Sequence, residues 1–553
     1  MRINKFGTPA FTLRVDGKSF SFEAPILLKD ALRECGVSFQ MPCGGHGICG
    51  KCVVFVKGCC DEKSEAEEAF LKRIKGMPEW EITEKKNFAP RLACFCHLLG
   101  DGEVILPESQ MRIVSDTVGP LPAYDGGLMD SYGLAVDIGT TTIALRLYSL
   151  REGVLLSSAA EINDQSRFGA DVLSRIEYSN LHGVKEVQRV LLSQLERMFH
   201  AVFQEAGCEN QKLERVVFVG NTTMLHFLKG LDPKEIGVSP FHPQSLFGDT
   251  FRANALFAMF SGDVEAYIPR CVGAYIGADI SAGMLATAFD QPGRKLLVDV
   301  GTNGEITLQN GDRIVCCATA AGPAFEGARI SMGMPAMDGA IFKVLGLDRI
   351  GCQAVENAAV NRVGYQTIGN APPRGICGTG MICLLALLRK EGVLDETGLL
   401  LTTDGPYDQY IRETNGRKAF MIGDSRVSLF VEDIRQIQLA KAAIAAGIDV
   451  LLHEEKLSAA DIDPFLLAGG FGSQIQAEDA AGIGLIPREC VGQTVAVGNA
   501  ALQGASMMLF SKKHREFADR IVQRAVEKPL SSHPFFMERY IENMMFLEVA
   551  NDV

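Results

Sequence analysis

Two stretches of this chain repeat each other: VDIGTTTIAL at 136–145 and VDVGTNGEITL at 298–308. Each reads apolar-Asp-apolar-Gly-Thr and then a β-like run, which predicts a strand ending near Asp, a glycine bend rich in hydroxyls, and a second strand. Two such units can face one nucleotide from opposite sides. Glycine admits a phosphate oxygen close to the backbone, bend N–H groups and hydroxyls bind it, and the aspartate holds hydrated Mg²⁺ or orients water. The candidates are Asp137, Gly139, Thr140, Thr141 and Thr142 in the first unit, and Asp299, Gly301, Thr302, Asn303 and Gly304 in the second. One Asp-x-Gly-Thr is weak evidence, whereas a pair with matching flanks is not a chance event.

A third element, LLAGGFGSQ at 466–474, is an apolar run that breaks into Gly469, Gly470, Phe471 and Gly472, where exposed backbone can approach a flat base and ribose. A further glycine cluster, RGICGTGMICLLALLRK at 374–390, puts Gly378 and Thr379 at the start of an apolar helix. Free N–H groups there suit an anion; the alternative is close packing of the helix on a neighbouring strand. Cys377 and Cys383 on that helix read as buried thiols.

The other informative segment is N-terminal, where eight of the sixteen cysteines fall within the first 96 residues. Residues 11–22 alternate around Asp16-Gly17, a hairpin signal, and 26–35 carry apolar residues at helical spacing. MPCGGHGICGKCVVFVKG follows, with Cys43, Cys49 and Cys52 spaced C-x5-C-x2-C in a glycine-rich loop, and RLACFC at 91–96 supplies a fourth thiolate, Cys94 or Cys96. Glycines let backbone N–H groups turn toward cluster sulfurs. Inert cysteines and a zinc site are the alternatives, and zinc sites more often show two paired short spacings. The Gly45-x4-Gly50-Lys51 string imitates a Walker A loop, but Cys52 stands where Ser or Thr would bind Mg²⁺.

Composition removes other classes. Hydrophobic residues make up 47% and charged residues 22% of 553 residues, as in ordinary globular proteins, and the formal charge of −13 argues against nucleic acid as the main partner. No signal-like or membrane-length apolar run is present, so a cytoplasmic location with no membrane partner is expected. Residues 107–131, rich in Pro and Gly, read as a linker or a packed loop. The predicted organisation is 1–106, linker 107–131, first lobe 132–295 and second lobe 296–553. The Met- and Phe-rich tail at 505–553 reads as packing on the core of the larger, nucleotide-binding part, with a partner groove as the alternative.

The N-terminal segment resembles the adrenodoxin and putidaredoxin branch of 2Fe-2S ferredoxins, which implies a β-grasp fold with Cys43, Cys49, Cys52 and Cys94 as cluster ligands. Cys35, Cys59, Cys60 and Cys96 are then packing or surface residues. The larger part resembles the actin, sugar-kinase and chaperone ATPase superfamily, which implies an α/β class with two RNase H-like lobes and ATP between them. The helix joining the lobes is then expected within 436–456. With GNTTMLHFLKG (220–230), NDQSRFGADVLSRI (163–176) and GPAFEGARISMGMPAMDGAI (322–341), nearly the whole chain resembles the ATP-dependent reductive activators of corrinoid proteins. The resemblance implies one-electron reduction of Co(II) to Co(I) in a methyltransferase system, with a 2Fe-2S cluster, ATP and Mg²⁺ as cofactors. It also implies a corrinoid protein and an electron donor as partners, and a homodimer.

Asp171 and Glu326 are candidates for positioning water or contacting a partner, with a salt-bridged or capping carboxylate as the alternative; His226 and His46 read as structural. Two other functions remain open from residues alone. One is a small-molecule kinase with a redox-sensing ferredoxin; the other is an ATP-gated electron donor to a different low-potential enzyme.

Overall fold

The computed structural model describes residues 2–3, 9–15, 18–23, 25–35, 47, 52–74, 88–106, 119–126, 130–260, 262–348, 362–414, 416–469 and 475–547. In the N-terminal module, Pro9–Val15 and Lys18–Glu23 form the expected hairpin, with Val15 opposite Lys18. Pro9–Val15 also pairs in parallel with His97–Ile105, which pairs antiparallel with Val53–Cys60, and Ala89–Leu92 closes that edge. Helix Leu28–Glu34 buries Leu28, Ala31 and Leu32 in this module's own core. A hairpin, a crossing helix and a return strand in parallel make a β-grasp.

The larger part is built twice on one plan. In the first lobe, Tyr132–Ile138, Thr142–Ser149 and Val154–Ile162 form an antiparallel meander, and Tyr132–Ile138 then pairs in parallel with Leu213–Gly220, which pairs in parallel with Glu265–Ile268. The second lobe repeats this. Gly293–Val300, Gly304–Gly311 and Arg313–Thr319 form the meander, and Gly293–Val300 pairs in parallel with Phe465–Ala468, which pairs with Thr494–Gly498. Each lobe therefore has the RNase H-like strand order 3-2-1-4-5, with an extra edge strand in each, Asp249–Arg252 and Ala525–Glu527. The central strands are apolar on both faces because helices cover both, as parallel pairing demands. The expected boundary at 295/296 falls inside the strand Gly293–Val300.

Two helices tie the lobes together, one following the last parallel strand of each: Ala278–Ala286 and Ala500–Phe510. They cross so closely that a Cβ on Gly504 would lie 2.0 Å from the Ala282 carbonyl oxygen. Ala500, Ala505 and Leu509, with Ala518 and Ile521 of helix Lys512–Arg524, belong to the hydrophobic cluster of the first lobe's sheet. Residues 500–524 thus pack on the first lobe, whereas Ala525–Glu527 and Pro534–Glu542 lie on the second, so the single second-lobe assignment of 296–553 is corrected for 500–524 alone. The expected inter-lobe helix within 436–456 is also corrected. Those residues belong to one continuous helix, Val431–Glu455, whose Ile434, Ile437, Ile444, Ile448 and Leu451 sit in the second lobe's core.

Of the linker, 119–126 are docked on the first lobe. Asp125 accepts from Arg215 at 2.7 Å and from the Lys512 backbone N–H at 2.5 Å, and Gln503 bonds both Gly119 and Pro120. The tail helix Pro534–Glu542 lies against Val431–Glu455, anchored by Arg539 on Asp449 at 2.9 Å, and Phe546 is buried.

Candidate functional site

The two echoed hairpins meet at their bends. In the first, Ile138 pairs with Ile143 and the bend is Gly139, Thr140 and Thr141; a Cβ at Gly139 would stand 2.5 Å from the Thr142 carbonyl oxygen, so a side chain does not fit. In the second, Val300 pairs with Gly304, and the Gly301 N–H donates to the Asn303 carbonyl at 3.1 Å. The hydroxyls of Thr141 and Thr302 are 2.8 Å apart, and both donate to Glu326 Oε2, at 2.6 and 2.5 Å. Residues expected on opposite sides of one ligand are thus brought within contact of each other, with Glu326 between them.

Behind the bends lies a group of carboxylates, Glu305 buried and Asp137, Asp279 and Asp299 half-buried. Burial pushes Asp137 up to about 6, only partly offset by the 2.8 Å bond from Asn499 Nδ2. Asp299 is pushed up to about 7 by burial and then by the charges of Asp137 and Glu326. Two members were not singled out from sequence: Asp279, in the first turn of Ala278–Ala286, and Glu305, at the start of Gly304–Gly311. Both are raised by burial first and by neighbouring carboxylates second. Among the described residues no three His, Cys, Asp or Glu side chains are grouped closely enough to hold a metal ion directly. Mg²⁺ keeps several waters and takes phosphate oxygens instead of an all-protein cage. Asp137 and Asp299 are the carboxylates that could hold such a hydrated ion, whose charge would favour the ionised forms that burial disfavours.

The first bend is held by residues of the strings at 163–176 and 220–230. Asn163 Nδ2 donates to the Gly139 carbonyl at 2.8 Å, Asn221 Nδ2 to Thr140 Oγ1 at 2.9 Å, and Arg175 Nη2 to the Thr140 carbonyl at 2.6 Å. Arg175 is fully buried, and burial pulls it down to about 9 against the favourable charges of Asp171 and Glu326. Asp171 caps helix Val172–His182 in a capping box with Ser174, at 2.8 Å to the Ser174 N–H. Its carboxylate therefore has a local use, the capping alternative left open from sequence. His226 is buried on the Thr222 carbonyl at 2.7 Å, a structural use.

Gly378 and Thr379 begin helix Gly378–Lys390, where a Cβ on Gly378 would lie 2.1 Å from the Phe325 carbonyl oxygen. Close packing accounts for that glycine. Cys377 is buried and Cys383 half-buried. Gly469 follows Phe465–Ala468, whose Ala468 is in register with Asp299, so this glycine leaves its strand beside the second hairpin. Gly470, Phe471 and Gly472 lie outside the described residues.

In the N-terminal module, Cys52 precedes Val53–Cys60 and Cys94 sits in the turn after Ala89–Leu92. The Val53–Leu92 pairing and the 2.9 Å bond from the Ala93 N–H to the Cys52 carbonyl bring their sulfurs to 3.1 Å. Two thiols converging from separate segments are what a cluster needs from its ligand loop. Cys96, the alternative fourth ligand, is buried with its thiol hydrogen-bonded to Cys60. Cys43, Cys49 and His46 lie outside the described residues. Arg91 of the RLAC string is buried on Glu67 and Asp61, each at 2.9 Å, and so pins helix Glu65–Ile74 to the strand carrying Cys94's turn.

Fold and site together define a two-lobed, actin-like ATPase preceded by a 2Fe-2S ferredoxin module. Models of known families match almost end to end: a 2Fe-2S iron–sulfur cluster binding domain over 13–98, the RACo middle region over 132–292, and the C-terminal ASKHA domain of RACo over 294–552. The chain belongs to the RACo family. It is 28% identical to the corrinoid activation enzyme RamQ of Eubacterium limosum, over 94% of this chain and 96% of that protein. It is 25% identical to the [Co(II) methylated amine-specific corrinoid protein] reductase of Methanosarcina barkeri, over 71% and 72%. A solved structure titled reductive activator for corrinoid, iron–sulfur protein superposes with a TM-score of 0.69 and 28% identity, over 97% of this chain and 98% of that one. The 2Fe-2S cluster, ATP and Mg²⁺ are the cofactors of this architecture. Among the described residues no helix is long and apolar enough to cross a membrane.

Proposed function

We propose that this protein reductively activates a corrinoid protein at the expense of ATP. Cys43, Cys49, Cys52 and Cys94 would hold a 2Fe-2S centre whose single electron would take a Co(II) corrinoid to Co(I), with a separate electron donor re-reducing the centre. The observation that carries the reading is the pairing, in one chain, of converging Cys52 and Cys94 sulfurs with two Asp-x-Gly-Thr bends that meet at the Thr141 and Thr302 hydroxyls. Support comes from a relative matched over nearly its whole length and named a corrinoid activation enzyme, and from one matched over 72% of its length and named a corrinoid protein reductase.

When bound, the cluster supplies a single electron near roughly −400 mV. Co(I) is a stronger reductant still, so the transfer is uphill, and each 100 mV of gap corresponds to ~2.3 kcal/mol. Closure of the lobes on ATP, coupled to partner binding, offsets that cost. In this reading Asp137 and Asp299 hold hydrated Mg²⁺ and orient water. Gly139, Thr140, Thr141, Thr142, Gly301, Thr302 and Asn303 cradle phosphates, and Gly469 to Gly472 approach the adenosine. Cys43, Cys49, Cys52 and Cys94 ligate the cluster. The protein works in the cytoplasm as a homodimer.

The test is Co(I) absorbance after anaerobically reduced protein meets a Co(II) corrinoid protein from the same organism, with and without MgATP. ATP-dependent Co(I), lost in Cys49→Ala and in Asp299→Ala, is expected. Equal rates without nucleotide would sink the coupling. An intact cluster and measurable ATPase with no Co(I) from several corrinoid proteins would transfer the reading to another acceptor or to a kinase.

A further inference from the structure

Glu326 occupies the place where the two phosphate bends meet. Its Oε2 receives both threonine hydroxyls, one from each lobe, at 2.6 and 2.5 Å. These are hydroxyls that a nucleotide's phosphates would use. A carboxylate and a phosphate oxygen compete for the same donors and repel each other, so the two cannot share this position. Glu326 is also carried on an unusually tight knot. A Cβ on Gly327 would meet the Met334 N at 2.4 Å, one on Gly333 would meet the Gly327 carbonyl oxygen at 2.5 Å, and Arg329 has φ 60°. A segment folded back on itself this closely moves as a body.

Both ends of the knot touch major helices of the second lobe. Phe325 is fully buried, with its carbonyl oxygen against Gly378 at the start of Gly378–Lys390. Ser331, five residues beyond Glu326, donates its N–H and its hydroxyl to Asp433 Oδ1, at 2.8 and 3.0 Å. Asp433 lies in the first turn of Val431–Glu455, is itself buried, and also caps the Phe430 N–H at 3.0 Å.

We propose that Glu326 is a nucleotide-displaced latch: without nucleotide it clasps Thr141 to Thr302, and the incoming phosphates expel it, shifting the 323–334 knot and, through Ser331 and Asp433, the start of helix Val431–Glu455. The inference rests on the reading of this cleft as the ATP site and extends it by naming the element through which occupancy is sensed. No corrinoid step is needed for it.

The experiment uses the full chain. Titration with a non-hydrolysable ATP analogue and Mg²⁺ is combined with hydrogen exchange over 323–334 and 431–436, for wild type, Glu326→Gln, Glu326→Ala and Ser331→Ala. In wild type the analogue should raise exchange across 323–334. Glu326→Ala should show that raised exchange without nucleotide and bind the analogue about tenfold tighter, the scale of one charge-assisted hydrogen bond given up. Glu326→Gln, which keeps the acceptor but not the charge, should fall between, and it serves if the alanine variant does not fold. Ser331→Ala should keep the nucleotide response at 323–334 and lose it at 431–436. An unchanged exchange pattern on adding analogue, or weaker binding by both Glu326 variants, would overturn the latch and leave Glu326 as a group supporting the bound phosphates. A wild type that binds no nucleotide overturns the ATP site and the latch together. A latch that behaves as described in a protein that forms no Co(I) removes the activator reading alone.

Discussion

Asp137 and Asp299 are expensive residues to bury, and the cost sets a pH signature. Their folded-state values of about 6 and about 7 lie above the ~3.9 of an unfolded aspartate. The ionised form is therefore disfavoured by folding: their contribution to stability is full below about pH 4 and is lost as pH rises through 6 to 7. The expected result is that Asp299→Asn flattens the fall in apo-protein Tm between pH 5 and 7.5 relative to wild type. Binding of MgATP, which favours both carboxylates ionised, should release protons near pH 6.5. Calorimetry in two buffers of different ionisation enthalpy reads that release, and a buffer-independent enthalpy would contradict it. Asp171 makes the opposite case. Because it caps Val172–His182, Asp171→Ala should cost about 1 kcal/mol of stability and leave the MgATP Kd within about twofold. A tenfold weaker Kd would instead place its carboxylate in the site.

Among elements, the helix pair between the lobes is the most sensitive. Gly504 stands where any side chain would strike the Ala282 carbonyl, so Gly504→Val should destabilise by about 1–3 kcal/mol through overpacking. A Tm unchanged within error would show that the helices can separate without loss. Each of these helices also delivers a group to the carboxylates, Asp279 from one and Asn499 from the other, so the same packing that joins the lobes shapes the site. Asn499 and Arg175 were not legible in the sequence, because their partners are a side chain and a carbonyl far away along the chain. Asp279 carried no repeated motif around it. The sequence placed a helix within 436–456 correctly as an element, but its burial on Ile306 and Leu308 inside the second lobe is a fact of packing, not of periodicity.

At the level of the molecule, the docked segment 119–126 connects regions remote in sequence. Arg215, almost fully buried, depends on Asp125 at 2.7 Å, and Asp125 also receives the Lys512 N–H. Asp125→Ala should cost about 1–3 kcal/mol, the scale of a buried charge-assisted bond removed, and should raise hydrogen exchange at 119–126 and at the start of Lys512–Arg524 together. Exchange rising at only one of the two would show that they are held independently.

Repeated local chemistry was readable in advance: the two Asp-x-Gly-Thr bends, the Cys52 and Cys94 segments and the hairpin at Asp16-Gly17 depend on residues adjacent in sequence, whose backbone demands are local, while the two-lobed α/β class came from the resemblance those motifs carry. What the tertiary structure alone decided was the pairing of distant groups. It put Glu326 between two threonines of different lobes, carried residues 500–524 back onto the first lobe, and gave Gly378 to packing against Phe325. Those outcomes follow from which buried polar groups and apolar faces meet once the two sheets close on their shared helices, and no short-range pattern carries that information.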